Sequence, residues 1–410
     1  MTNKEPNIHT LPNGLRVVYL HDDAMVAHLG VTILGGSRFE ESGEEGLAHF
    51  LEHCIFKGTK KRKAFHVLSR LDSVGGELNA YTTKEEICIY GSFSPEHLER
   101  ATELLYDITF NSAFPEKEIE KEKEIILDEI NSYLDSPSDK VFDDFEALLF
   151  PNHSLGNNIL GTRESVMAFT RQHLLDYVKR FFYPKNMVVS FVGDIPEAKV
   201  VAKIEKYFSL NNHNYEKAVP ETVFAYTPKK IRTKEANYQS HIMLGGMAPG
   251  YNDPNRRVFT LIVNMLGGPA LNSRLVLSIR EKYGYSYSVE ANYTPYQEVG
   301  YWNVYAGTDK RYINKTIKLI YKELELFRSK KLTDQQLSKA KTQLKGHIAL
   351  GMDNNSSLML GYGKSLLVFD QIDTLEEVHK AIDEITVDEV FEIANKYFVS
   401  DSITELVFDF

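Results

Sequence analysis

The sequence predicts an α+β protein built as two similar units in tandem, each a mostly antiparallel sheet covered by helices. Three observations lead there. Strand-like alternation comes in hairpin-like pairs separated by helices, which favours helices layered over a sheet face. The order helix, aromatic pair, apolar run in "LLDYVKRFFYPKNMVVSFVGDI" (174–195) returns at the end of the chain in "VFEIANKYFVSDSITELVFDF" (390–410). A strand end followed by a helix also occurs twice, in "SFSPEHLERATELLYDITF" (92–110) and "AGTDKRYINKTIKLIYKEL" (306–324).

Apolar alternation marks strands in "LRVVYL" (15–20), "AHLGVTIL" (27–34), "EEICIYGSF" (85–93) and "YWNVYAG" (301–307). A long charged helix follows each strand–helix pair: "PEKEIEKEKEIILDEINSYL" (115–134) in the first half and "LTDQQLSKAKTQLKGHIAL" (332–350) in the second. The stretch "SLNNHNYEKAVPETVFAYTPKK" (209–230) has little periodicity and reads as a linker. These elements give an N-terminal domain over 1–210, a linker over 211–230 and a homologous C-terminal domain over 231–410. A chain of 410 residues suits two domains of about 200 residues each.

Composition narrows the function classes. Hydrophobic residues make up 43% and charged residues 25%, which is ordinary for a globular protein. Net charge is −10 with acids and lysines intermixed, so no basic stripe invites nucleic acid. Cys54 and Cys88 are the only cysteines, which excludes a disulfide framework and fits a reducing compartment. The start "MTNKEPNIHTLPNGL" has no apolar stretch suited to a signal peptide, and no run reaches membrane-spanning length. The expectation is a cytoplasmic protein without a membrane partner.

The chemistry concentrates in "GLAHFLEHCIFKGT", which begins at residue 46. Helix signals agree over 44–58: Glu44 and Glu45 suit the first turn, and Gly58 is placed for a stop. Residues four apart share a helical face, so His49 and His53 can converge on one metal ion, with Glu52 near that face. Two histidines satisfied by ordinary hydrogen bonds on a partly buried helix remain the competing reading, and a metal needs a third ligand. "EKEIILDEI" (122–130) offers one: Glu122 and Glu129 stand seven apart, two turns along one face. Glu129 borders the side marked as buried by Ile125, Ile126 and Ile130, although Glu-rich helices are usually solvated surface. Two histidines and one glutamate would match the His₂Glu zinc class, whose open fourth position admits water. Zinc lowers the pKa of that water from ~15.7 towards ~7, and Glu52 is then a suitable general base for amide hydrolysis.

"HFLEH" has the inverted order His-x-x-Glu-His of the inverzincins, and its surroundings resemble the signature of the pitrilysin family. That family includes insulin-degrading enzyme, mitochondrial processing peptidase and many bacterial processing peptidases. The resemblance implies His49, His53 and Glu129 as ligands of one Zn2+ per chain and Glu52 as base, while the place of Glu122 two turns before Glu129 suggests that it orients a ligand histidine or supports the helix. Glu129 follows His53 by 76 residues and Glu122 precedes Glu129 by seven, as in the family. "GELNAYTTKEE" (76–86) resembles the edge strand that pairs with bound peptide, which puts Asn79 and Ala80 beside the substrate backbone. "LGGPALNSRLVLSIREKYGYSYSV" (266–289) resembles the second-half motif whose arginine and tyrosine reach the scissile carbonyl, here Arg280 and Tyr287. A guanidinium and a phenol are suitable fixed donors for a developing oxyanion. Two departures stand out: Cys54 occupies a position where the family often has Met, and Pro269 and Ala270 interrupt the glycine-rich stretch.

Fused members of the family exceed twice this length and enclose substrate between two bowl-shaped halves. This chain supplies one half of such a clamshell and resembles the short bacterial subfamily, whose members dimerise. Because it keeps both the zinc motif and the Arg/Tyr motif, a homodimer is favoured over a heterodimer with a related subunit. The expected function is a zinc endopeptidase that hydrolyses unfolded peptides in an enclosed chamber. The alternative is a non-catalytic structural or peptide-binding subunit, against which the intact His49, Glu52, His53 and Glu129 argue.

Overall fold

The alternating stretches form strands in two mixed sheets. The first contains β1 (Asn7–Thr10), β2 (Arg16–His21), β3 (Ala27–Leu34), β4 (Glu77–Thr82), β5 (Glu86–Phe93) and β6 (Met187–Gly193), in the order β1-β2-β6-β3-β5-β4. The second contains β7 (Lys230–Lys234), β8 (Ser240–Ala248), β9 (Ser286–Pro295), β10 (Gly300–Thr308) and β11 (Thr404–Asp409), in the order β7-β11-β8-β10-β9. Each has one parallel pairing, β2 with β6 and β11 with β7; the other pairings are antiparallel. The computed structural model describes residues 5–211, 226–235 and 238–410, so most of the linker expected at 211–230 lies outside the described residues. Among the described residues no helix is long and apolar enough to cross a membrane.

Strand position follows composition. The central strand β6, "MVVSFVG", is buried along its whole length, as a continuous apolar run should be. The outer strand β4, "ELNAYT", exposes Glu77 and Asn79 and half-buries the rest, and among the described residues it pairs only with β5. Among the described residues its other edge has no strand partner, which leaves backbone N–H and C=O groups as a template for an added strand.

The chain does not divide at 211–230 alone. The first unit joins the described parts of 1–131 and 157–220 with Leu350–Thr374. The second joins Ser132–Gly156, the described part of 221–349 and Leu375–Phe410. The reason is that each sheet has two apolar faces and needs a cover on both. In the first unit, helix Asn355–Phe369 supplies Met359, Tyr362, Leu366 and Leu367 to the core. Its Gly363 lies so close to β3 and β6 that a Cβ there would meet Thr32 Oγ1 at 2.5 Å and Ser190 Oγ at 2.7 Å. In the second unit, helix Pro137–Leu149 places Val141, Phe145 and Leu149 against Met243, Tyr305, Leu406 and Phe408. The alternate residues of those strands, Ile242, Leu244, Val304 and Val407, pack with Phe259, Ile320 and Val390 on the opposite face. Helical periodicity shows that a segment has an apolar face; it does not say which sheet that face covers.

Candidate metal centre

The helix that carries the two histidines spans Leu47–Ile55, shorter than the 44–58 expected. It starts at Gly46, whose φ of 92° lies in the left-handed region that glycine tolerates. Gly46 has no side chain to cap the helix, and Glu40 supplies the cap instead. Its carboxylate accepts from the Gly46 N–H at 2.9 Å and the Ala48 N–H at 2.8 Å. Glu44 and Glu45 therefore precede the first turn, and Glu44 pairs with Arg180 at 2.6 Å. Gly58 is not the stop, since the helix closes at Phe56; Gly58 has φ 129° and bridges to Lys63.

Leu47, Ala48, Phe50, Leu51, Cys54 and Ile55 are all buried in the core. This fixes the rotation of the helix and leaves His49, Glu52 and His53 on its remaining face. The two imidazole rings stand 4.7 Å apart, as the four-residue spacing requires. The third group comes from helix Glu116–Leu134, which buries Ile119, Glu122, Ile126 and Leu127 and brings Glu129 to the histidines. Glu129 Oε2 lies 3.8 Å from His49 Nε2 and 3.7 Å from His53 Nε2. Two ligands about 2.1 Å from a tetrahedral ion are about 3.4 Å apart, so each of these two histidine–glutamate pairs needs only a small contraction to share a zinc ion.

The donors fit such an ion chemically as well as geometrically. Burial, then the neighbouring His53, lowers the His49 pKa to about 4, so its ring is neutral at physiological pH, the form that ligates metals. The His49 Nδ1 is buried and has no partner among the described residues. His53 is oriented through its other nitrogen: Nδ1 donates to Glu122 Oε2 at 3.2 Å, leaving Nε2 directed at Glu129. The second oxygen of the buried Glu122 meets the Lys57 ammonium at 2.7 Å. A second trio, His21, Asp23 and Asp194, also comes together, but all three are exposed.

Glu52 is next to the ligands without being one of the converging trio. Its Oε2 accepts a hydrogen bond from Thr82 Oγ1 at 2.6 Å. Burial raises its pKa, an effect that the Thr82 hydrogen bond and His53 oppose and Glu129 reinforces. Cys54, on the buried face, is 1% exposed, and burial pushes its thiol pKa far up, so it is an inert core group.

Asn79 and Ala80 lie on the outer strand β4, Asn79 exposed and Ala80 half-buried. Arg280 and Tyr287 belong to the second unit. Arg280 sits in the π-helical turn Val276–Glu281, and its guanidinium carbon lies 4.7 Å from the centre of the Tyr287 ring. Tyr287, on the outer strand β9, is 82% exposed. Together with Gly267, Gly268, Val276 and Glu290 they line a cleft of about 330 Å³.

Three residues at the centre carry little signal in the sequence. Thr82 fell within the edge-strand stretch, and its only signal is that it shares a strand face with Ala80. Lys57 and Glu40 have no local signal, because what each does depends on a partner from a different element.

Residues 16–163 match the family described as Insulinase (Peptidase family M16), and residues 168–344 match Peptidase M16 inactive domain. The chain is 32% identical over 404 residues to the "Uncharacterized zinc protease YmxG" of Bacillus subtilis, covering 97% of each. It is 31% identical over 408 residues to an "Uncharacterized zinc protease" of Rickettsia felis, covering 98% of this chain and 97% of that one. A solved protease from Helicobacter pylori has the same fold, with a TM-score of 0.91 at 22% identity over 99% of both chains. So does a solved peptidase M16 inactive domain from Pseudomonas fluorescens, with 0.91 at 18% identity over 99% of this chain and 98% of that one.

Proposed function

The chain belongs to the insulinase family of peptidases, M16, the pitrilysin family that its sequence resembles, and on that premise we propose that it is a zinc-dependent endopeptidase of unfolded peptides. The observation that carries the proposal is the convergence of His49, His53 and Glu129 with Glu52 alongside them. Relatives named as zinc proteases support zinc as the ion. The description "inactive domain" falls on residues 168–344, which lack the His-x-x-Glu-His pattern, and so does not weaken the assignment.

His49 and His53 through Nε2, and Glu129 through Oε2, would hold the ion, about one per chain. When bound, zinc supplies Lewis-acid polarisation and lowers the pKa of water at its open position towards ~7. Glu52 accepts a proton from the attacking water as the new C–O bond forms. It returns that proton to the amide nitrogen as the C–N bond breaks, so no proton is gained or lost overall. An extended peptide added to the free edge of β4 would run past Asn79 and Ala80, held by backbone hydrogen bonds with little regard to sequence.

Arg280 and Tyr287 complete the finer reading as donors to the developing oxyanion. They serve the metal centre of a second copy of the chain, in a two-fold dimer with two equivalent sites. The exposure of Tyr287 and the family's pairing of bowl-shaped halves support this assignment. The test is incubation of zinc-loaded protein with a mixed peptide library, with cleavage read by mass spectrometry. Zinc-dependent cleavage of many extended peptides is expected; zinc binding without cleavage would favour a peptide-binding subunit.

A further inference from the structure

Glu52 has three rotatable side-chain bonds, and a base that wanders among rotamers is in position only part of the time. Among the described residues Thr82 Oγ1 is its one hydrogen-bond partner, at 2.6 Å, a hydroxyl donating to a carboxylate. Thr82 closes strand β4, the same outer strand whose free edge is the proposed peptide site. Leu78, Ala80 and Thr82 alternate onto one face of that strand, and helix Leu47–Ile55 packs against it.

The end of this strand is held firmly. Thr83 Oγ1 accepts from the backbone N–H groups of Glu85 and Glu86 at 3.3 and 3.0 Å. The backbone N–H groups of Ser37 and Arg38 donate to the carbonyls of Thr83 and Lys84 at 3.1 and 2.8 Å. The buried Arg38 guanidinium pairs with Glu85. Adjacent threonines thus divide the work: Thr83 shapes the turn, and Thr82 projects a hydroxyl towards the helix. A β-branched side chain has few χ1 choices, so the hydroxyl direction is set largely by the backbone.

We infer that Thr82 is a positioning residue for Glu52, fixing Oε2 so that Oε1 stays directed at the water to be activated. The inference rests on the peptidase reading above and adds a link between the peptide-binding strand and the base. Thr82→Val keeps the branched shape and removes the donor; Thr82→Ser keeps the donor. If Thr82 positions the base, kcat of the zinc-loaded Val variant falls about tenfold while KM and zinc affinity stay unchanged, and Ser restores most of kcat.

Crystal structures of the metal-free wild type and both variants give a readout that does not depend on turnover. The Glu52 carboxylate should leave its position in Thr82→Val and regain it in Thr82→Ser. An unmoved Glu52 carboxylate in the Val structure overturns the inference, as does an unchanged kcat or a loss that appears in KM. Should the wild type cleave no peptide, the peptidase reading fails, and the Glu52 position alone then decides the role of Thr82.

Discussion

His53 Nδ1 lies 3.2 Å from Glu122 Oε2, and the other oxygen of that buried carboxylate meets the Lys57 ammonium at 2.7 Å. Lys57, Glu122 and His53 form a line of alternating donors and acceptors that ends at the proposed metal. Carboxylates that hold a ligand histidine in this way fix its ring and raise its basicity. Glu122→Gln should weaken zinc affinity by roughly 10–100-fold without unfolding the chain. Lys57→Met should weaken it less, because the histidine keeps its own partner. Competition with a chelator of known affinity measures both, and wild-type zinc affinity in Glu122→Gln would return Glu122 to a merely structural place in the helix.

His49 gives a pH dependence to the metal-free protein. Burial and then His53 lower its folded-state pKa to about 4, whereas the unfolded chain takes up that proton near ~6.5. Between those values the unfolded state binds the proton and the folded state does not. Stability from this residue is therefore complete above ~6.5 and is lost progressively as pH falls towards about 4. Urea midpoints of metal-free wild type and His49→Asn at pH 7 and pH 4.5 check the sign: the variant should lose less on acidification. Equal losses would contradict it.

The two close glycines of helix Asn355–Phe369 test its place in the first unit. A Cβ at Gly361 meets nothing within 4 Å, so Gly361→Ala should stabilise by about 0.5–1 kcal/mol through helix propensity alone. Gly363 faces Thr32 and Ser190 at less than 3 Å from its would-be Cβ, so Gly363→Val should cost about 1–3 kcal/mol by overpacking. Denaturant unfolding distinguishes the two; similar effects at both positions would mean that the helix does not pack on β3 and β6.

What was legible in the sequence was whatever a single element encodes. His49, Glu52 and His53 share a face because of helical geometry, and the alternating stretches became β2, β3, β5 and β10 with shifts of about one residue. Glu129 is a weaker case: spacing on its helix makes it a candidate third ligand, but its meeting with the histidines is a tertiary fact that spacing alone leaves open and the family resemblance favours. The start of the histidine helix was misplaced because Glu40, a residue outside the helix, does the capping. Domain bounds of 1–210 and 231–410 keep residues 137–149 and 355–369 with their own halves of the chain, because periodicity carries no record of the partner sheet. The role of Thr82 is silent in the sequence for the same reason, its hydroxyl reaching from a strand to a helix.

The shared-site reading predicts complementation. Glu52→Gln removes a base but leaves its own Tyr287 intact, and Tyr287→Phe does the reverse. Random exchange between the two inactive dimers makes half of them mixed, each with one complete site, so activity should recover to roughly a quarter of wild type. No recovery after demonstrated subunit exchange would mean that each chain builds its site alone.

In the proposed mechanism His53 holds the metal while Glu52 moves the proton, and one pair of variants separates these roles. Zinc content and peptide cleavage are measured together on purified His53→Ala and Glu52→Gln. His53→Ala should lose both zinc and cleavage, whereas Glu52→Gln should retain about one zinc per chain and cleave nothing. Full zinc occupancy in His53→Ala, or wild-type cleavage by Glu52→Gln, would contradict it.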